Sequence, residues 1–226
     1  MISVVIPTLN AANALPRCFN SLLEAAMRGF VREVIVSDGG STDETLALAE
    51  AAGARVVSAS RCRAHLLQAG AETARGDWVL FLHPETMLEA GWEEEAASFI
   101  ESSSCENPRA AAFRFAIDDF EARSRRLESM VAMRCWLFGF PCGDQGLLIP
   151  RRLYHKTGGF KRVTMEDIDF ARRLGRKRLV MLRSRAIIRA ARYQQQGRLR
   201  LHVHNLSVLL LHALRVPTPL LQRLYG

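Results

Sequence analysis

Four short apolar runs alternate with segments of helical spacing through the first 82 residues, and this pattern restricts the fold more than any other feature of the chain. The runs are Ser3 to Ile6, Val31 to Val36 (VREVIV), Arg55 to Ser58, and Trp78 to Leu82 (WVLFL). Each is short and rich in β-branched or aromatic residues, as buried strands are. Between them, Ala14 to Met27 carries Leu15, Phe19, Leu22, Leu23 and Ala26 at helical spacing. A second helix is expected after Gly40, capped by Ser41 or Thr42, with Glu44 in its first turn and Gly53 at its end. A third runs from Leu66 to Ala74 and stops at Gly76. Strands alternating with helices imply right-handed βαβ units and a mostly parallel sheet flanked by helices. Ligands of such sheets bind beyond the carboxyl ends of the strands. Pro7 to Asn10, Asp38 to Gly40 and His83 to Glu85 all stand at such ends, so three polar loops are expected on one rim.

The second half is less regular. Ala110 to Ile117 reads as a strand, Glu121 to Met133 as an Arg-rich helix, and Gly139 to Gly146 as a loop of small residues. Leu147 to Ile149 is a short strand and Arg152 to Thr157 a short helix, and Met165-Glu166-Asp167 opens another helix through Arg173. Val180 to Leu182 and Ala186 to Ile188 read as two short strands, and Leu199 to Leu214 as a basic amphipathic helix. One α/β domain is expected: a nucleotide-binding half over 1–100, a catalytic and acceptor half over 101–190, and a C-terminal helical appendage over 191–226.

With 49% apolar and 24% charged residues among 226, the chain has the balance of a globular protein. A formal charge of +8 favours anionic partners without choosing among them. The Arg172-to-Arg178 run lacks the aromatic interleaving of a nucleic-acid surface, so no nucleic acid is expected. Five cysteines without Cys-x-x-Cys spacing argue against a disulfide framework or a zinc site and for a reduced, cytoplasmic setting. No signal peptide is expected from Met1 to Thr8, and the apolar stretch Leu206 to Leu214 is far short of the roughly 20 residues that span a bilayer. Arg198, Arg200, Arg215 and Arg223 flank Leu-rich segments. That pattern fits a peripheral interfacial helix at the inner membrane face, and equally a packing helix.

Four clusters carry candidate chemistry. Asp38, with Gly39 allowing close backbone approach, suits hydrogen bonds to a base N–H or a ribose hydroxyl, or equally a turn and helix cap. His83 and Glu85 offer an imidazole and a carboxylate, a weak and unspecific pair for Mn²⁺ or Mg²⁺ that would neutralise a diphosphate leaving group, or a polar strand-to-loop exit turned by Pro84. Glu166 and Asp167 are adjacent at a helix start, where only one is expected to point into a cleft; a carboxylate there suits a general base, or the helix dipole alone. Asp144, in Gly143-Asp144-Gln145-Gly146, suits a hydroxylated acceptor or equally a plain turn.

Taken together, SVVIPTLN (3–10), VSDGGSTD (36–43), ARGD (74–77), FLHPET (81–86), GGF (158–160) and MED (165–167) resemble the family 2 glycosyltransferases, in family order over most of the chain. Gly143 to Gly146 and the ending Gln-Arg-Leu-Tyr look closest to the small bacterial radical-SAM/selenodomain-associated transferases. The resemblance implies a GT-A fold, a nucleotide-diphosphate sugar donor, an unidentified acceptor and a divalent metal. It implies that Pro7, Thr8 and Asn10 line the nucleotide pocket, with Asp38 and Gly39 at the base and Arg63 on the nucleotide. Asp167 matches the acid that deprotonates the acceptor with inversion at the sugar carbon, and Asp144 and Gln145 match the acceptor loop. The chain departs from the family at His83-Pro84-Glu85, where Asp-x-Asp or His-Ala-Asp is usual, and at Leu66 and Gln68, where Gln and Asn are expected. The departure leaves a non-catalytic nucleotide-sugar binder as the alternative. A nucleotidyltransferase ranks lower, because the loop after the first strand, Thr8 to Ala12, has neither glycine nor a basic residue.

Overall fold

The computed structural model describes residues 1–103, 106–139, 141–163 and 165–190. The expected C-terminal helix over 199–214 therefore lies outside the described residues. Strand β1 (Ile2–Thr8) is buried at every position, the signature of a strand covered on both faces. It pairs in parallel with β2 (Val31–Asp38) on one side and β4 (Trp78–Phe81) on the other, and β2 pairs in parallel with β3 (Arg55–Ser58). The connecting helices are α1 (Leu15–Met27), α2 (Thr45–Ala51) and α3 (Arg63–Thr73), so the βαβ expectation matches the first half.

Beyond β4 the sheet turns mixed. Strand β7 (Leu147–Pro150) runs antiparallel to β4 and to β6 (Ala110–Asp118), and β6 pairs in parallel with β8 (Leu179–Arg189). A three-residue edge strand, β5 (Thr86–Leu88), closes the order β3-β2-β1-β4-β7-β6-β8-β5. Four more helices complete the described part: α4 (Trp92–Ser102), α5 (Ala122–Phe138), α6 (Arg151–Lys156) and α7 (Glu166–Leu174). The result is a mostly parallel sheet flanked by helices.

Two expectations are corrected here. Ser41 and Thr42 do not cap α2: the helix starts at Thr45 after Glu44, with no side-chain cap, and Ser41 turns instead toward Asp38. Nor are there two strands at 180–182 and 186–188. They join into one strand through a bulge: the pairing passes from Ala112–Met181 to Arg114–Arg185, and Glu95 of α4 accepts from the bulged backbone N–H groups of Arg183 (2.8 Å) and Ser184 (2.7 Å).

The sheet separates two cores. On one face Ile2, Val4 and Ile6 pack with Leu15 and Leu22 of α1 and with Trp92 and Phe99 of α4. On the other, Val5, Ile35, Val79 and Phe81 meet Leu67 of α3, Tyr154 of α6, and Phe160 and Phe170. The last three rings and Phe81 stack with centroids 4.9–5.7 Å apart, a platform under the start of α7. Helix α3 approaches β1 so closely that a Cβ built on Gly70 would lie 2.3 Å from Val5 Cγ1 and 2.6 Å from Ser37 Oγ. Gly70→Ala is therefore expected to destabilise by about 1–3 kcal/mol despite the better helix propensity of alanine. Circular-dichroism melting should show a midpoint several degrees lower; an unchanged midpoint would mean the helix can move off the sheet freely.

Candidate active site

The carboxyl ends of β1, β4 and β8 open onto one groove of about 700 Å³. Pro7, Thr8 and Asn10 line it from β1, and His83, Pro84 and Glu85 from the exit of β4. Arg61 and Arg63 enter from the loop and helix after β3, and Arg189 from the end of β8. Arg61 and Arg189 were not singled out in the sequence. Nothing local marks them, because each is one Arg among many and only the topology brings them to this rim.

Asp38 stands behind the groove. Its carboxylate accepts from Thr8 Oγ1 (2.9 Å), Gly40 N (2.8 Å), Ser41 N (2.7 Å) and Ser41 Oγ (2.5 Å). Burial pushes this carboxyl up, but the four hydrogen bonds outweigh it and hold the group below the usual carboxylate range. Asp38 thus organises the turn that presents Gly39 and Ser41. The turn in turn fixes Asn10, whose N–H donates to Ser41 Oγ (2.8 Å) and whose Oδ1 accepts from Thr42 N (2.9 Å). Asn10 is held at φ 53°, in the left-handed region that asparagine tolerates better than most residues.

The second half of the site lies behind Arg63. Its guanidinium donates through Nη1 to Glu166 and to both oxygens of Asp167, at 3.1 and 2.9 Å for Oδ1 and Oδ2. Both acids of the pair bind one cation, but of the two only Asp167 lines a cavity, while Glu166 is taken up by the ion pair with Arg63. They begin α7 immediately after Met165, which adopts φ 60°, ψ 56°. Left-handed backbone in a long side chain is strained and is characteristic of functional sites. Asp167 Oδ2 also accepts from Gly143 N (3.0 Å), so the loop after α5 closes over it. Burial pushes the Asp167 carboxyl up, Arg63 pulls it down, and Glu166 raises it again; the net direction is upward. The same two acids raise Arg63, which stays charged.

Asp167 does not line the groove. It lines a small apolar cavity of about 30 Å³ with Cys142, Gly143, Phe160 and Phe170, and Arg63 borders both spaces. Asp144 and Gln145 lie in a 3-10 turn over this cavity. Gln145 is buried and spends its amide on Phe113 O (3.1 Å) and Cys142 N (3.0 Å), a scaffolding arrangement. Asp144 is half-buried, and its carbonyl accepts from Thr86 Oγ1 (3.1 Å).

Among the described residues, no group of three or more His, Cys, Asp or Glu side chains is arranged to hold a metal. His83 Nδ1 accepts from Glu85 N (3.2 Å), which uses the lone pair a metal would need on that nitrogen. The carboxylate of Glu85 remains as the anionic donor of the pair. One carboxylate plus phosphate oxygens and waters is a normal environment for Mg²⁺. The residues present therefore fit a divalent ion carried with a diphosphate, and not one caged by protein alone.

A βαβ half-sheet, a cationic groove at its carboxyl rim and an acid pair opening a helix are joined by a match to the model of glycosyl transferase family 2 over residues 3–167. The chain belongs to that family. This family 2 chain is 36% identical over 108 residues to the PGL/p-HBAD biosynthesis glycosyltransferase of Mycobacterium tuberculosis, a match covering 44% of the chain and 41% of that protein. It thus spans less than half the length of the relative it matches. Its fold is shared with S. aureus TarS residues 1–349, at a TM-score of 0.63 and 18% identity over 82% of this chain and 60% of that one. It is also shared with glucosyl-3-phosphoglycerate synthase from M. tuberculosis, solved with Mn²⁺ and UDP-glucose, at 0.61 and 22% over 84% and 70%. These are GT-A glycosyltransferase structures. No helix among the described residues is long and apolar enough to cross a membrane.

Proposed function

We propose that this family 2 member transfers a sugar from a nucleotide-diphosphate sugar to an acceptor hydroxyl, with inversion at the anomeric carbon. The observation that carries the reading is the juxtaposition of three guanidinium groups and Glu85 in one groove with a half-buried acid, Asp167, directly behind Arg63. The nucleotide would lie against Pro7, Thr8, Asn10 and Gly39, held by the turn that Asp38 organises. Arg61, Arg63 and Arg189 would face the diphosphate. Glu85, with His83 beside it, would hold a divalent ion, Mn²⁺ or Mg²⁺, which when bound supplies charge neutralisation of the leaving diphosphate. In the transfer, the acceptor oxygen forms a bond to the anomeric carbon as the bond to the phosphate oxygen breaks. Asp167 takes the acceptor proton, and the nucleoside diphosphate leaves with the electron pair. A raised carboxyl is a better base than an ordinary one. Glu166 holds the Arg63 guanidinium in position, and Asp144 and Gln145 shape the acceptor side.

Gly143 to Gly146 supports placement within the radical-SAM/selenodomain-associated subgroup. The division into a nucleotide half over 1–100, an acceptor half over 101–190 and an appendage over 191–226 follows the same reading, as does a cytoplasmic setting with peripheral contact through the appendage. One observation favours the non-catalytic binder: both Asp167 oxygens are already engaged.

The deciding experiment is thermal melting against a panel of nucleoside diphosphates, with and without Mn²⁺. A nucleotide at 100 times its Kd adds about 2.7 kcal/mol, which raises the midpoint by roughly 5–10 °C in a chain of this size. A rise with one nucleotide that grows with Mn²⁺, and loses the Mn²⁺ part in Glu85→Gln, is expected. A rise without turnover on any acceptor would favour the binder, and no rise with any nucleotide would overturn both.

A further inference from the structure

Helix α5 leaves an apolar face to solvent. Ser124, Val131 and Cys135 turn inward, the latter two onto Phe115, Ile117 and Ile188. Met130, Met133, Trp136 and Leu137 are exposed, and Trp136 keeps 71% of its surface in water. Together these four side chains form a contiguous exposed apolar surface, and such a surface marks an interaction site.

The charges around this face indicate what covers it. At the N-terminal end of α5, Arg123 and Arg126 are exposed on the same side, and neither makes an ion pair with the described residues. At the C-terminal end, Arg176 donates to the carbonyls of Trp136 (2.6 Å) and Leu137 (3.1 Å), which anchors the exposed Arg176-Lys177-Arg178 turn there. The one acid within α5, Glu128, lies on the opposite side and is spent on Arg125 and on the N–H of Ile117. The outward face is thus an acid-free strip of Met, Trp and Leu with cations at both ends. Apolar side chains flanked by Arg and Lys, with Trp at the boundary, are the composition of a helix lying in a lipid headgroup region.

We infer that α5 docks this protein onto an anionic phospholipid bilayer, with Met130, Met133, Trp136 and Leu137 in the headgroup–acyl boundary and Arg123, Arg126 and the 176–178 turn on lipid phosphates. The inference needs nothing from the transferase reading, and it concerns a different element from the C-terminal appendage. It also has a geometric corollary. Gly143, bonded to Asp167, is five residues past Phe138, so the loop reaches at most about 18 Å from the end of α5. Docking would hold the Asp167 side of the site near the lipid headgroups.

The molecule carries its own probe. Of its three tryptophans, Trp78 and Trp92 are buried, at 9% and 1% exposure, and Trp136 is the exposed one. The full chain should show solvent-exposed Trp emission in buffer. That emission should shift to the blue with vesicles of phosphatidylcholine plus phosphatidylglycerol, and much less with phosphatidylcholine alone. Co-sedimentation with the anionic vesicles should fall roughly 30-fold in Arg123→Ser/Arg126→Ser and at least about tenfold in Met133→Ser/Trp136→Ser, with melting midpoints unchanged. Several results would overturn the inference: no vesicle binding, equal binding to both lipids, or full binding by both variants. Trp136 emission already blue-shifted in buffer would assign the face to residues 191–226. Light scattering that shows a dimer broken by Met133→Ser/Trp136→Ser would assign it to a second copy.

Discussion

On the proposed reading, Asp167→Asn is expected to lower sugar transfer by about 10²–10⁴-fold, the range a positioned general base supplies, and to leave nucleotide binding nearly intact. Asparagine keeps an oxygen for the N–H of Gly143, and Arg63 keeps Glu166, so the loop and the helix start stay in place. Steady-state kinetics on nucleoside diphosphate release, beside nucleotide-induced melting shifts, separate the two effects. Unchanged turnover would remove Asp167 from the base role. The pH profile adds a second readout. The base works ionised, and burial raises its pKa, so the wild-type rate should fall on the acid side starting above the usual carboxylate range. The same shift has a stability consequence of opposite sense. A carboxyl raised in the folded state favours the protonated form, so its contribution is full at low pH and is lost as pH rises through the raised value.

Arg63→Met is the variant with the largest expected effect on stability. It leaves Glu166 and Asp167 side by side with no cation between them. Breaking a buried ion cluster costs 3–5 kcal/mol, and because the Arg63 side chain is a third exposed, about 3 kcal/mol is expected here. That corresponds to a midpoint lower by roughly 6–12 °C. The deficit should shrink as pH falls, because protonation relieves the two acids. Arg63→Met/Asp167→Asn should melt higher than Arg63→Met alone. A double variant no better than the single one would show that Arg63 stabilises through its stem and not through charge.

The first half of the fold was readable because its strands are covered on both faces. Sequence alone locates β3 to the residue, and β1, β2 and β4 within two residues. Between 86 and 109 no element was read, and the structure places β5 and α4 there. Three residues are too few to show a strand period, and Thr86–Leu88 earns its pairing only from β8. Helix α4 had a signal, Trp92, Ala96 and Phe99 at i, i+4 and i+7, after Gly91 in the left-handed conformation. The unity of β8 was invisible because its polar middle is a bulge whose backbone N–H groups are satisfied by a carboxylate 88 residues away. At the site, polar residues at strand ends were legible one by one. What could not be read was that Arg63 would face acids 103 and 104 residues distant, or that Arg189 would return to the rim.

The position of Arg63 ties two equilibria together. One guanidinium borders the groove on one side and the Asp167 cavity on the other. An anion in the groove that attracts this group weakens its hold on Asp167, and by reciprocity the protonation state of Asp167 must alter the affinity for that anion by the same factor. Filling the groove then raises the proton affinity of the acid pair, so the acid-side fall in rate should begin at higher pH once the groove is occupied. Nucleotide affinity measured in buffers of differing ionisation enthalpy would carry any proton taken up in its heat.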